Sequence, residues 1–153
     1  MIRLRQLGYG VRRRVLAWLR WRTRGVKVMV FDPAGRILLV RHHYGRTDLL
    51  MLPGGGIARR ETPAAAAVRE VAEETGCRLD EVTLFACYEA RTEGRRDTVY
   101  LFHAVSDDLP TADGREIAEA RFAALDALPA TLSAATRRRI DEYRGVRPVD
   151  TRW

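Results

Sequence analysis

Three glutamates that could work together lie close in the chain, at positions 70, 73 and 74. Residues spaced at i, i+3 and i+4 share one face of an α-helix. Like charges at such spacings cost an isolated helix roughly 0.2–0.5 kcal/mol per pair, and a helix that needed only solubility would interleave lysines. We therefore expect a cation over this face, and a divalent metal held by oxygen ligands is the best candidate.

The element that carries these carboxylates is predicted from its end signals. Thr62 supplies a hydroxyl N-cap, Pro63 fits the first helical position, and Gly76 is a typical C-terminal stop, which predicts a helix over Pro63–Thr75. At roughly 100° per residue, one side of this helix is apolar or small and should be buried, with the glutamates nearly opposite. That predicted buried side consists of Ala65, Val68, Val71, Ala72 and Thr75.

A glycine-rich turn precedes the helix, since Pro53 is followed by glycine at 54, 55 and 56. Glycine allows positive φ and leaves backbone carbonyls and amides unobstructed. A carbonyl here could give a hard oxygen ligand to the same cation, which suits magnesium or manganese. A polyphosphate substrate needs this combination, because a metal neutralises its charge and a carboxylate deprotonates or orients water.

The stretch from Gly55 to Cys77 resembles the Nudix box, G-x5-E-x7-R-E-U-x-E-E-x-G-U, in which U is a bulky aliphatic residue. Every fixed position matches, from Gly55 and Glu61 through Arg69-Glu70 to Gly76, and only Cys77 departs, at the last U. The flanking segments VKVMVFDPAGRILLVR and EARFAALDALP are also similar to the surroundings of that box. The resemblance therefore extends over about residues 25–145.

The resemblance implies an α/β/α sandwich with a mixed sheet and an enzyme that hydrolyses nucleoside diphosphates linked to another moiety. It implies Mg²⁺, or Mn²⁺, as cofactor and a small-molecule nucleoside diphosphate derivative as substrate. Glu70, Glu73 and Glu74 would be metal ligands, with Glu70 as the base, and the carbonyl of Gly54 a further ligand. Arg69, placed in the catalytic set, would form an orienting ion pair with Glu61.

Residues outside the box are candidates for the rest of the site. Many members recruit a carboxylate from a distal loop, for which Glu116 is the first choice, followed by Glu119 and Glu89. Phosphate contacts are expected from loop arginines, and Tyr44 or Tyr88 could stack on a base or pack in the core. The predicted substrate-binding residues are Arg41, Arg46, Tyr88 and Arg91, with Arg95 and Arg96 as further candidates.

A possible metal signal in His42–His43 is weak. Adjacent residues at a strand end point to opposite faces, and no histidine lies four residues away.

Strand patterns on both sides of the central helix predict an α/β sandwich. Two of them are separated by the turn 33–35 and should form a hairpin, and two later ones should pair across a loop at 91–97. A second helix should bury Leu132, Ala135, Ile140 and Tyr143 and end at Gly145. The predicted elements are the strands Val26–Asp32, Arg36–Arg41, Glu81–Ala90, Thr98–Val105 and Ile117–Leu125 and the helix Thr131–Arg144.

The charge is unevenly distributed. Residues 1–27 carry nine of the 27 positive charges and none of the 20 acids, so the remainder has 18 positives against 20 acids. This predicts a basic amphipathic N-terminal helix over 1–24, a Nudix domain over 25–145 and a loosely held tail over 146–153. The helix could pack on the domain, contact an acidic membrane or nucleic acid, or lie between two subunits of a homodimer.

No apolar run reaches the length of a transmembrane helix, and two cysteines among apolar residues favour reduced thiols in the cytoplasm. Two alternatives to a small-molecule hydrolase stay open. One is an enzyme acting on RNA 5′ ends, with the N-terminal arginines on phosphates. The other is a non-catalytic module that binds a nucleotide and regulates a partner.

Overall fold

Two helices and five strands form the part of the chain that the computed structural model describes, residues 24–92 and 95–153. The predicted N-terminal helix lies outside this part, apart from Arg24, and the proposed division into domain and flanking segments stays a prediction. The elements in chain order are β1 (Arg24–Phe31), β2 (Ile37–His42), α1 (Pro63–Thr75), β3 (Thr83–Thr92), β4 (Arg95–Val105), β5 (Ile117–Ala123) and α2 (Ala134–Tyr143).

The strands form one mixed sheet in the order β3-β4-β1-β2-β5. β1 runs parallel to β4, whereas the pairs β1–β2, β2–β5 and β3–β4 are antiparallel. The predicted β1–β2 hairpin is present, but the two strands pair directly only at Phe31 and Ile37. Beyond that point the segment 51–55 lies between them, with Met51 bonded to Val40 and Gly55 to Val26. The glycine turn is therefore part of the sheet framework.

Each face of the sheet is covered by one helix, as the period-two alternation of strand side chains requires. Val26, Val28 and Val30 of β1 point to the same side and pack with Ala67 and Val71 of α1. The intervening Met29 and Phe31 join the other cluster, which includes Ile140 of α2. The predicted α/β/α sandwich with a mixed sheet is confirmed.

The bounds of α1 agree with the prediction. The Thr62 Oγ1 accepts a hydrogen bond from Ala65 N at 3.1 Å, and Gly76 closes the helix with φ 71° and a bond to Ala72 O at 2.9 Å. The predicted buried side is rotated, however. Ala65 and Ala72 are exposed, while Ala66, Ala67 and Glu74 are buried. A glutamate can occupy the inner side because the backbone of the glycine turn offers its carboxylate a donor.

Some predicted bounds differ from the observed ones. The expected loop at 91–97 is mostly strand, because the β3–β4 ladder continues through the pairs Ala90–Asp97 and Arg91–Arg96. Strand pairing uses backbone groups, so the charged side chains do not stop it. The second helix starts at Ala134 after the N-cap Ser133, and it buries Thr136, Arg139 and Glu142 as well as the expected Ile140.

The prediction of a loosely held tail is wrong for its last residues. Thr151 O accepts from Glu89 N at 2.7 Å, and Trp153 N donates to Glu89 O at 2.9 Å. The Trp153 ring also packs edge-on against Tyr88, with 5.5 Å between centroids. The tail thus docks beside β3. Among the described residues, no helix has the length and apolar character needed to cross a bilayer.

Candidate active site

The glycine turn is held in a conformation that needs glycine. Val26 N donates to Gly55 O at 2.8 Å and Val28 N to Pro53 O at 3.0 Å, so the turn is anchored on β1. Gly54 has φ 141°, and a Cβ atom there would lie 2.2 Å from Val26 O. A Cβ on Gly55 would lie 2.5 Å from the Glu70 carboxyl group. The glycines therefore let both β1 and α1 approach the turn closely.

Glu74 reaches this turn from the buried side of α1. The residue is only 5% exposed, and Oε2 accepts a hydrogen bond from Gly54 N at 2.9 Å. Burial raises its pKa to about 8; the charges of Glu70 and Glu116 add to the rise, whereas Lys27 and the Gly54 amide oppose it. A carboxylate in this position is short of positive charge, and a cation bound nearby would stabilise its anionic form.

Arg69 connects the turn, the loop before the helix and the glutamates. It forms a bidentate pair with Glu61, at 2.7 Å from Nε and 2.9 Å from Nη2, and Nη2 also donates to Gly56 O at 2.9 Å. Its Nη1 lies 2.8 Å from Glu70 Oε1 and 3.4 Å from Glu73 Oε2. Hydrogen bonding to Glu61 is the main reason that the pKa of Arg69 is raised above the ordinary value of an arginine. The expected ion pair is therefore present, and Arg69 joins it to two of the candidate ligands.

The donors beside the glycine turn fit a hard divalent cation. They are carboxylate oxygens of Glu70, Glu73 and Glu74 and the carbonyl of Gly54, which are the oxygen ligands that magnesium and manganese take. Within residues 24–92 and 95–153, however, no three acidic or histidine side chains already surround a common point. Glu70 and Glu73 are turned to Arg69, and Glu74 to Gly54 N. Cation binding would have to draw these carboxylates from their present partners.

Glu116, predicted as the distal ligand, lies within electrostatic range of the helix. Its charge contributes to the raised pKa of Glu74. Its backbone is fixed on both sides, since N donates to Asp113 Oδ1 at 3.0 Å and O accepts from His43 N at 3.0 Å. Burial and a hydrogen bond with Glu116 raise the pKa of Tyr44 to about 12. The loops at 42–46 and 113–117 thus place Glu116 and Tyr44 together.

The two reserve candidates are placed differently. Glu119 is engaged by Arg41 at 3.0 Å and by Arg121 at 2.7 Å. Glu89 lies on β3 at the opposite edge of the sheet, where its backbone pairs with the C-terminal tail.

Among the predicted substrate contacts, Tyr88 is a correction. It is 1% exposed, its ring packs against Trp153, and its hydroxyl donates to Glu142 Oε2 at 2.7 Å. A side chain buried in this way has no face open to a nucleotide base, so Tyr88 belongs to the core.

The other substrate candidates remain predictions. Arg41 pairs with Glu119, and Arg46 pairs with Asp48 on the exposed loop after β2. The side chains of Arg91 and Arg95 lie outside the described part of the chain, and Arg96 is exposed.

One residue at the site was missed from the sequence, and the surroundings of His42 were not predicted. Lys27 reaches the turn from β1, and its Nζ donates to Leu52 O at 3.0 Å and to Gly54 O at 3.4 Å. His42 is half-buried with a buried Nδ1 that has no hydrogen-bond partner, and burial followed by the charge of Lys27 lowers its pKa to about 4. The signal for Lys27 was available, since a single lysine interrupts the apolar run of β1.

Comparison with known proteins agrees with this geometry. The family model of the NUDIX domain matches residues 21–143. A protein of Bacillus subtilis (strain 168) named "Putative 8-oxo-dGTP diphosphatase" is 29% identical over 124 residues, which are 80% of each chain. The crystal structure of a MutT NUDIX hydrolase from Burkholderia pseudomallei superposes with a TM-score of 0.68 at 26% identity, covering 77% of this chain and 95% of that one.

A further solved structure shares the fold at lower identity. It is the NUDIX domain of Shewanella oneidensis NrtR in complex with ADP ribose, with a TM-score of 0.66 at 16% identity, covering 83% of this chain and 89% of that one. The match of the family model spans both the glycine turn and the helix with its three glutamates. With its complete box and its α/β/α sandwich, this chain belongs to the NUDIX domain family.

Proposed function

We propose that this protein hydrolyses a phosphoric anhydride bond in a nucleoside diphosphate that is linked to another moiety. The observation that carries the proposal is the set of contacts that join the box residues to one another and to the glycine turn. Glu74 bonds the turn at Gly54, and Arg69 joins Glu61, Glu70 and Glu73 beside it. The diphosphatase name of the Bacillus subtilis relative supports the same reaction type.

The proposed cofactor is Mg²⁺, with Mn²⁺ as an alternative. It would be held by Glu70, Glu73, Glu74 and the Gly54 carbonyl, with Glu116 contributing from the opposite loop. When bound, such an ion neutralises phosphate charge and lowers the pKa of coordinated water. Two features support this assignment. The donor set consists of oxygens only, and the raised pKa of Glu74 means that its anionic form would be stabilised by a further cation.

The protein groups would have separate tasks. Glu70, which lies against Gly55, takes the proton from the attacking water. Arg69 keeps the helix and the loop before it in register through its bidentate bond to Glu61. Because Glu74 is buried, its carboxylate stays bonded to the turn, and bulk water does not compete for the Gly54 amide.

The nucleoside side of the substrate is proposed to lie near the loop that follows β2. Tyr44 is 41% exposed and lies beside Glu116, so it is the aromatic residue left for stacking on a base once Tyr88 is assigned to the core. Arg46, 70% exposed on the same loop, could contact a phosphate.

Two further features of the proposal concern the setting of the protein. The free thiols of Cys77 and Cys87 support a reducing, cytoplasmic environment. A homodimer built through the N-terminal helix stays a prediction, because that helix lies outside the described residues.

The test is a magnesium-dependent hydrolysis screen with product identification. It covers ADP-ribose, nucleotide sugars, dinucleoside polyphosphates and oxidised nucleoside triphosphates, using wild type, Glu73→Gln, Glu74→Gln and the surface control Glu81→Gln. We expect turnover of one class, lost by about 100-fold in the first two variants and kept in the control. Undiminished hydrolysis in both variants, or none by the wild type with any class, would contradict the proposal.

A further inference from the structure

The lysine at position 27 is the only one in the chain, and the fold directs it at the catalytic turn. It lies on β1 between the core residues Val26 and Val28, yet its side chain reaches over to the segment 52–54. Burial lowers its pKa, while the charges of Glu74 and Glu70 oppose that lowering. An ammonium is costly to place away from water unless it is paired, so these carboxylates are its counter-charges.

Lys27 and Glu74 hold the two polar atoms of the same residue. Gly54 N donates to Glu74 Oε2 at 2.9 Å, and Gly54 O accepts from Lys27 Nζ at 3.4 Å. The same carbonyl is a proposed metal ligand. An ammonium bonded to that oxygen and a divalent cation bound to it would repel each other at short range.

We infer that Lys27 is the resident counter-ion of the metal centre. When no cation is bound, it keeps the Gly54 carbonyl bonded and places positive charge beside Glu70 and Glu74. A metal bound to the same carbonyl would displace the ammonium, so Lys27 weakens metal affinity. This inference rests on the proposed function, because it requires a divalent cation at this turn.

The first experiment measures Mg²⁺ affinity by calorimetry on the full chain, with the metal alone and at pH 8.5 to limit competition from protons. Lys27→Met removes the charge at similar length, and we expect it to bind Mg²⁺ about fivefold more tightly or better. Lys27→Arg keeps a positive charge at this position, and its affinity should equal that of wild type.

The matched control is Arg36→Met. Arg36 lies just after the C-terminal end of β1 and pairs with Asp32 at 2.7 Å. Its replacement therefore removes an ion pair that does not involve the glycine turn. Its Mg²⁺ affinity should equal that of wild type. Unchanged or weaker binding by Lys27→Met would overturn the inference, as would tight binding by Lys27→Arg.

The second experiment observes the lysine without any substitution. Protein labelled with ¹³C-lysine gives one side-chain Cε signal, because the chain has one lysine. Mg²⁺ should move that signal, with a midpoint equal to the calorimetric affinity. If the wild type binds Mg²⁺ while the signal stays fixed, the role of Lys27 is refuted but the proposed metal site is not. A wild type that binds no Mg²⁺ refutes the proposed metal site itself.

Discussion

At the scale of single residues, Glu74 shows how burial changes the chemistry of a carboxylate. It is the least exposed of the three glutamates on the helix, since Glu74 is buried, Glu70 is half-buried and Glu73 is exposed. The amide of Gly54 compensates part of the cost of burial, but the neighbouring carboxylates Glu70 and Glu116 add to it. The raised pKa therefore couples the charge of Glu74 to the pH.

This coupling predicts a pH-dependent stability of the metal-free protein. The native pKa of Glu74, about 8, lies above the ordinary value of 4.5, so between these values the native state holds a proton that the unfolded state has released. The free energy of unfolding should therefore fall as the pH rises from about 5 to 8, by on the order of a few kcal/mol.

Urea unfolding in EDTA at pH 5.5, 7 and 8.5 checks this, with Glu74→Gln as the comparison. The variant keeps the shape but cannot ionise, and all other titrating groups are common to both proteins. Relative to wild type it should gain stability as the pH rises. Parallel pH profiles for the two proteins would contradict the prediction.

At the scale of elements, the site is built from a helix and a turn that are locked together. The turn takes its place from bonds to β1, and Arg69 ties the loop before α1 to the turn through Gly56 O. Small residues matter at these contacts because backbone approaches backbone. Gly54 is the position where this requirement is strictest.

Replacing Gly54 by alanine should cost much more stability than a comparable change elsewhere. The new Cβ would lie 2.2 Å from Val26 O, and the alanine would have to adopt φ 141°. We therefore expect the free energy of unfolding to fall by roughly 3 kcal/mol or more. The matched control is Gly45→Ala, which has φ 73° and no atom within 4 Å of the new Cβ. It should cost about 1 kcal/mol. Equal losses in chemical denaturation would show that the close approach is unimportant.

The start of α1 gives a second prediction at this scale. Thr62→Ala removes the oxygen that accepts from Ala65 N, and it should lower the free energy of unfolding by about 1 kcal/mol. Thr62→Ser keeps the acceptor and should lose much less. Thermal denaturation of the three proteins compares them, and a serine variant as unstable as the alanine variant would refute the capping role.

At the scale of the whole molecule, the C-terminal tail closes the face of the sheet opposite α1. Arg139 is fully buried, with Nη2 2.8 Å from Glu142 Oε1 and Nη1 2.9 Å from Arg152 O. Its guanidinium lies 4.2 Å from the centroid of Tyr88 and 5.4 Å from that of Trp153. The tail therefore completes the environment of a buried charge.

Deleting residues 151–153 should destabilise the whole domain. It removes the two backbone bonds to Glu89, the packing of Trp153 and the carbonyl that accepts from Arg139, at a cost of about 2–4 kcal/mol. Val149→Ala is the control, because Val149 is exposed in the same tail and should have little effect. An unchanged melting temperature after the deletion would show that the tail is dispensable.

Local signals allowed α1 and most strands to be predicted from sequence. A cap at Thr62, a proline and a stop at Gly76 act through neighbouring backbone groups, so they bound α1 without help from distant residues. The β-rich run at 26–32 likewise predicted a strand, and β1 is observed there. The rotation of α1 about its axis was mispredicted, because the amide that accepts Glu74 on the inner side comes from another part of the chain.

The sequence by itself determined the family, the acidic helix and the glycine turn, because their residues are close in the chain and their spacing is the signal. Only the tertiary structure decided that Lys27 meets Gly54, that Tyr88 is core and that the tail is docked. Each of these depends on segments that are distant in sequence, and the direction of a long side chain is set by what packs around it. The reaction type was readable from a local pattern, whereas the charge balance of the site required the fold.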